Sequence, residues 1–186
     1  GAALYVQHLV LKKERMPAIL SAYTGSHFSN EEIKTILCSR KISFEELEDD
    51  ILFDKITDCL INGGVVGWFT GRAEFGPRAL GGRSIIADPR RKDAKEILNS
   101  KIKRRESFRP FAPSILKEYV SEYFEQTDEV PFMEKVFQIK ESKRHEIPAV
   151  THVYGSGRLL TMDKVVSPRY YQLINAFRET TGVPVL

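Results

Sequence analysis

Apolar positions recur along the chain at helical or strand spacing, and most such stretches are bounded by residues that start or stop an element. Residues 2–13 read as a helix with Leu4, His8 and Leu11 on one side and Ala3, Val6 and Val10 around them. It is apolar nearly all round and expects cover from a packing partner, until Met16-Pro17 breaks it. Ser29-Asn30-Glu31-Glu32 has capping-box spacing and opens a helix through Ile33, Ile36 and Leu37, and Ser43-Phe44-Glu45-Glu46 repeats the device. A longer amphipathic helix follows, with Leu52, Ile56, Cys59 and Leu60 on one face, stopped by Asn62-Gly63-Gly64. Val65–Phe69 then reads as a buried strand and Ser84–Ala87 as a second, ended by Asp88-Pro89. Asp93–Lys103 is helical with Ile97 facing inward. Strand, long basic loop, strand and helix form the central unit.

Farther on, Phe111–Leu116 is predicted as a strand, 117–126 as a helix and Val136–Ile139 as a strand. Pro148–Tyr154 and Arg158–Met162 are expected to pair as a hairpin across Gly155-Ser156-Gly157. Ser167-Pro168 opens the last helix, with serine as N-cap and proline at the first helical position. Tyr170, Leu173, Ile174 and Phe177 give its apolar face, Gly182 closes it, and Val183–Leu186 begins an extended segment. No internal repeat is present.

At 186 residues, 42% hydrophobic and 28% charged, the chain has the composition of one globular domain with a core, perhaps with a small appendage, rather than a disordered or low-complexity segment. No apolar run approaches the ~20 residues of a membrane span, and the opening lacks the features of a signal peptide, so a cytoplasmic location is expected. Cys38 and Cys59 have no Cys or His at zinc-ligand spacing, and two buried or half-buried thiols are expected. Net charge is only +3, yet residues 71–109 hold twelve Lys/Arg against five Asp/Glu, which leaves the remainder net negative. A solvated basic face is the plain explanation. Here, however, the charges are interleaved with Gly, Pro and Phe in loop order, which points to an anion.

That block contains Gly71–Ser84, in which three arginines, four glycines and a proline share fourteen positions. Glycine allows close backbone approach, and the guanidinium fork matches phosphate or carboxylate. A long structural turn whose arginines pair with Glu74, Asp88 or carbonyls is the competing explanation, and no GxxxxGK[ST] is present. Residues 99–113 carry charges directly into an aromatic and proline-rich strand start. Lys103 and Arg109 are the candidates there, while a solvated helix end accounts for Lys101 and Arg104 and extends to Arg105. In Thr151–Arg158, Ser156 and Arg158 face the same side of an extended segment, whereas His152 lacks partners at metal-ligand spacing. Many fixed cations, few carboxylates and no nucleophile suit phosphoryl or nucleotidyl transfer, in which the substrates bring the reacting oxygens.

EFGPRALGGRSIIADPR, NSKIKRRESFRPFAPSIL, THVYGSGRLLTM and SPRYYQLINAFRETTGVPVL, in that order, resemble the C-terminal half of the NodU/CmcH-type O-carbamoyltransferases. The opening GAALYV and SAYTGSHFSNEEI are similar to the stretch joining that family's two domains. The resemblance implies an α+β, YrdC-like domain with a twisted mixed sheet over 51–186, preceded by a helical linker over 1–50. It implies that carbamoyl phosphate and ATP, with Mg²⁺ accompanying the nucleotide, are converted to carbamoyl adenylate. An N-terminal, metal-containing domain of actin-like ATPase fold, expected to be missing from this chain along with the residues after GVPVL, then transfers the carbamoyl group to a hydroxyl. No metal site is expected within these 186 residues. Motif by motif, the contacts fall on Arg78, Lys103, Arg109, Ser156 and Arg158.

Tyr154 stands where the family more often has aspartate, Gly82 where a larger polar residue is usual, and Ser107 where proline is common. Two other readings of the basic block stay open at this point. One is a concave RNA-binding module, with Phe75, Phe108 or Tyr154 stacking on bases; the other is a structural partner whose loops close an interdomain cleft.

Overall fold

The computed structural model describes residues 1–186. Helix α1 spans Ala2–Tyr5 and continues as a wider π-helical turn through Val10. Then come α2 (Asn30–Ser39), α3 (Asp49–Ile61), β1 (Val65–Phe69), β2 (Arg83–Ala87) and α4 (Ala94–Ile97, extended by a π-helical stretch to Lys103). After these follow β3 (Ser114–Leu116), α5 (Val120–Tyr123), β4 (Val136–Gln138), β5 (Ser156–Arg158), β6 (Leu160–Met162) and α6 (Pro168–Thr181). The class is α+β, as the sequence implied. Its strands are distributed over three two-stranded ladders: β1–β2 antiparallel, β3–β6 parallel and β4–β5 antiparallel. The C-terminal segment lies beside β3, where Ser114 N–H donates to the Leu186 carbonyl at 2.7 Å and Leu186 N–H returns the bond at 2.9 Å.

Every buried residue lies between Phe53 and Leu186. The core is one cluster in which Leu60 of α3, Trp68 of β1, Ile115 of β3 and Leu173 and Phe177 of α6 meet. Helix α3 packs along α6 and behind β1, and an ion pair from Arg169 to Asp49 ties the starts of the two helices. None of the first 52 residues is fully buried, although Ala22, Tyr23 and Leu52 pack partly against the core, and the apolar face of α1, including Leu4, Leu9 and Val10, is exposed. Its expected cover is not supplied by this chain. No helix is long and apolar enough to cross a membrane.

Several local expectations give way. Ser29 does close a full capping box with Glu32, but residues 42–48 form no helix, and the Glu46 carboxylate that would complete the second box lies on Lys34 at 2.6 Å. Helix α3 buries Phe53, Ile56, Thr57 and Leu60, a face offset by one position from the predicted one, so Cys59 is exposed; Cys38 is exposed too. Strand β1 is not buried throughout. Its ladder has one face on the core, with Trp68 buried and Phe69 exposed. Pro110 and Pro113 supply no N–H and confine the strand predicted from Phe111 to Ser114–Leu116. The helix predicted over 117–126 is a 3₁₀ turn followed by the short α5, and it ends where Phe124 turns extended.

The predicted 148–162 hairpin does not form. His152 N–H donates to the Ser156 carbonyl at 2.7 Å, so the chain reverses before Ser156, and Gly155 adopts φ +74° there. Residues 148–150 form a 3₁₀ turn, β5 pairs with β4 and β6 with β3. Ser167 precedes α6 as predicted but makes no side-chain cap bond, Pro168 occupies the first turn, and Gly182 closes the helix at φ +79°. Within α4, Ala94 and Leu98 are buried and Ile97 only partly so.

Candidate ligand-binding site

The thirteen residues between β1 and β2 form the long basic loop, and its arginines divide by task. Arg72 donates to the Gly25 carbonyl at 3.0 Å. Arg83 stacks on Phe69, 3.5 Å from the ring centroid, and donates to the carbonyls of Thr70 (2.7 Å), Gly82 (2.8 Å) and Gly71 (3.1 Å). Both therefore serve the turn itself. Arg78 alone among them makes no hydrogen bond or ion pair within the chain.

One carboxylate shapes that loop from within. Glu74 Oε1 accepts N–H bonds from Leu80 (2.8 Å), Gly82 (2.7 Å) and Arg83 (3.2 Å). Gly81 must be glycine: its φ is +99°, and a Cβ would stand 2.3 Å from the Tyr170 ring. At Gly82 a Cβ would come within 3.0 Å of the Arg72 carbonyl, so the larger residue of the resembled pattern would require the loop to give slightly. From outside, residues 22–26 brace the loop through Phe75 N–H to the Ala22 carbonyl and Ala73 N–H to the Ser26 carbonyl.

Arg78 borders a cavity of about 260 Å³ between the β1–β2 hairpin, α4, the start of β3 and β5. Lys95, Lys103, Arg105 and Arg158 border it too, and Asp88 has the only acidic side chain among its lining residues. That carboxylate, 2% exposed, is already neutralised: Arg90 donates to it from Nε at 2.9 Å and from Nη2 at 2.6 Å. Arg78, Lys95, Lys103 and Arg158 have no partner in the chain. A concave site with four unpaired cations and no free acidic side chain suits a polyanion. Its floor is apolar, and the buried Tyr170 hydroxyl donates to Ser114 Oγ at 3.1 Å while burial pushes that phenol up to about 12.

Three of the five residues suggested by the sequence, Arg78, Lys103 and Arg158, therefore come together from three different elements. Arg109 and Ser156 do not border the cavity. The Arg109 guanidinium lies outward on Glu106 at 2.8 Å, with both side chains more than half exposed, and Ser156 Oγ lies 3.3 Å from His152 Nδ1. Burial, with Arg158 and Lys95 nearby, holds the imidazole of His152 below its usual range. Tyr154, with 88% of its surface exposed, does not border the cavity. Lys95 and Arg105 were not singled out from the sequence. Lys95 sits on a surface helix with no motif to mark it, and Arg105 lies among the four basic residues of 101–105, where spacing alone does not say which face the ligand.

Residues 57–186 match the family described as Carbamoyltransferase C-terminus. An uncharacterised protein of Synechocystis sp. is 43% identical over the whole chain, which covers 34% of that protein. Nodulation protein NolO of Bradyrhizobium diazoefficiens is 41% identical, again over the whole chain and 35% of its own length. The 3'-hydroxymethylcephem-O-carbamoyltransferase of Amycolatopsis lactamdurans is 39% identical over 72% of the chain and 25% of its length. The chain thus spans about a third or less of the relatives it matches, and residues 57–186, matched by the family, hold every residue lining the cationic cavity. By this agreement of sequence over its greater part, the chain belongs to the carbamoyltransferase C-terminal family.

Proposed function

We propose that this chain is the substrate-activating part of an O-carbamoyltransferase, and that its cavity binds carbamoyl phosphate together with the phosphates of ATP. The observation that carries the reading is the convergence of four unpaired cations on one small cavity. Cations arranged around a concavity suit a compact polyanion better than the extended backbone of RNA, which calls for an open basic stripe.

In this reading Arg78 and Lys103 hold the phosphate and carbamoyl oxygens, and Arg158 steadies the nucleotide phosphates. Water cleaves carbamoyl phosphate to carbamate and inorganic phosphate. A carbamate oxygen then attacks the α-phosphorus of ATP, forming a new P–O bond as pyrophosphate leaves. Carbamate is already anionic, so the second step needs no general base. The demand on the protein is charge neutralisation and alignment, which fixed cations meet. Arg109 joins by exchanging Glu106 for substrate, since an exposed ion pair is readily given up. Ser156 lies two residues before Arg158 on β5 and adds a hydroxyl at the same edge.

In this reading Mg²⁺ enters bound to the nucleotide phosphates. Transfer of the carbamoyl group to a hydroxyl belongs to a further domain, as the greater length of the relatives suggests. Calorimetric titration with carbamoyl phosphate tests the reading. Binding that is lost in Lys103→Ala and Arg158→Ala, with both variants folded, is the expected outcome. Affinity unchanged in both would overturn it.

A further inference from the structure

The π-helical end of α4 passes into the loop that carries the second group of cations, and the junction is organised by a single buried side chain. Asn99 is 1% exposed. Its Oδ1 accepts from Arg105 Nε at 2.7 Å, and its Nδ2 donates to the carbonyls of Ser107 (3.2 Å) and Arg109 (3.0 Å). Its own carbonyl accepts Arg105 N–H at 2.9 Å. All the polar functions of the side chain are therefore used, and all act on residues 105–109. The orientation of the amide follows from its partners, because a guanidinium N–H needs an acceptor and two carbonyls need donors.

The turn so held is one the chain does not adopt freely. Arg104 has φ +48° and ψ +54°, the left-handed region that disfavours residues with a Cβ. This reversal brings Arg105 back over the helix end. There its guanidinium lies 4.6 Å from the centroid of Phe111 and its Nη2 approaches the Pro110 carbonyl at 3.4 Å. Nη1 has no partner, and Arg105 borders the cavity beside Lys103 and Arg158. Nothing in this arrangement resembles a solvated helix end.

We infer that Arg105 is a further ligand-binding cation of the site and that Asn99 is the positioning residue that aims it. The inference rests on the polyanion reading given above. Asn99 holds the guanidinium in one orientation through Nε and fixes the following backbone through two carbonyls, leaving Nη1 for a phosphate or carbamoyl oxygen. Aspartate at position 99 would keep the size and the contact to Arg105. It would set two carbonyl oxygens against a carboxylate with no proton to offer, so the loop would move away.

The test is a double-mutant cycle in the 186-residue chain, read by calorimetric titration with carbamoyl phosphate and, separately, inorganic pyrophosphate. Asn99→Asp should weaken binding of at least one probe by about tenfold, the loss expected of one charge-assisted hydrogen bond. In an Arg105→Met background the same change should matter by less than about twofold, while in an Arg158→Met background the full loss of about tenfold should persist. Equal losses in both backgrounds would mean that Asn99 acts through general structure and would overturn the inference, as would an Asn99→Asp chain that binds like wild type. If Asn99→Asp does not fold, Asn99→Ser, which removes the clamp without adding charge, enters the same cycle with the same expectations. Wild type that binds neither probe would overturn the polyanion reading itself, which is a separate result from wild type that binds and an Asn99 variant that binds equally.

Discussion

Two loops deliver cations to the same cavity, and they are built in opposite ways. The β1–β2 loop is held from within: Glu74 gathers three of its N–H groups, Arg72 and Arg83 bind carbonyls, and positive-φ glycines at 71, 76 and 81 take the sharp bends. It is also closed by the ladder of its own hairpin, register Phe69↔Arg83. The loop after α4 has no glycine between Lys103 and Pro113. It turns at Arg104 in the left-handed region and is clamped by Asn99, a residue outside it. In the first loop most of the charge serves the architecture and a single arginine is left for the ligand. In the second, a neutral amide holds the backbone, Lys103 is unpaired, Arg105 keeps only its Nη1 free, and Arg109 rests on the exposed Glu106. A count of basic residues does not distinguish these cases; what does is whether the carbonyls and carboxylates around each cation leave it an N–H to offer and whether it borders the cavity.

The comparison can be broken most forcefully at its free cations. Lys103→Ala or Arg158→Ala should lower carbamoyl-phosphate-dependent activity by about 10²–10³-fold, in the range seen when one preorganised charge-stabilising group is removed. The midpoint of thermal unfolding should change little, because neither side chain has a partner to lose. A large fall in that midpoint would show that these residues belong to the architecture after all. Next in size is Glu74→Ala, which strands three N–H groups and should destabilise the chain by about 3 kcal/mol. Glu74→Gln, which keeps the acceptor oxygen, should recover most of that loss in chemical denaturation. No difference between the two variants would mean that the carboxylate does not organise the loop.

A smaller effect concerns pH. The usual histidine value is 6.5, and His152 lies below it because burial, helped by Arg158 and Lys95, disfavours the charged ring. The unfolded chain therefore binds the proton more readily, so the contribution of His152 to stability is full above about pH 6.5 and declines as pH falls through and below that value. Melting curves between pH 7.5 and 5 should show wild type losing stability more steeply than His152→Gln; parallel curves would contradict this. Smallest of all is Glu106→Gln. It frees Arg109 from an exposed pair and should raise affinity for carbamoyl phosphate by no more than about threefold. A loss of affinity would mean that Glu106 aims Arg109 rather than holding it aside.

Much of the fold was legible because local chemistry agreed with tertiary packing. The Ser29 capping box, the Gly63 stop after α3, Pro168 and Gly182 at the ends of α6, and the apolar run of β1 all stand in the structure. The misreadings arose where a distant partner decided. Glu46 lies on Lys34, and β4 and β3 pair with 156–158 and 160–162, so residues 148–154 do not find the strand partner expected for them. For the site, motif order led to Arg78, Lys103 and Arg158, which the fold brings together. Arg105 stayed hidden because its role depends on the amide of Asn99, and an asparagine inside a helical stretch carries no sign in sequence that it will be buried and fully bonded.

The most direct test of the central claim is ATP–pyrophosphate exchange by the 186-residue chain, with and without carbamoyl phosphate, repeated in Lys103→Ala. Exchange that requires carbamoyl phosphate and disappears in the variant is the predicted result. Exchange that proceeds equally without carbamoyl phosphate, or survives unchanged in Lys103→Ala, would contradict it.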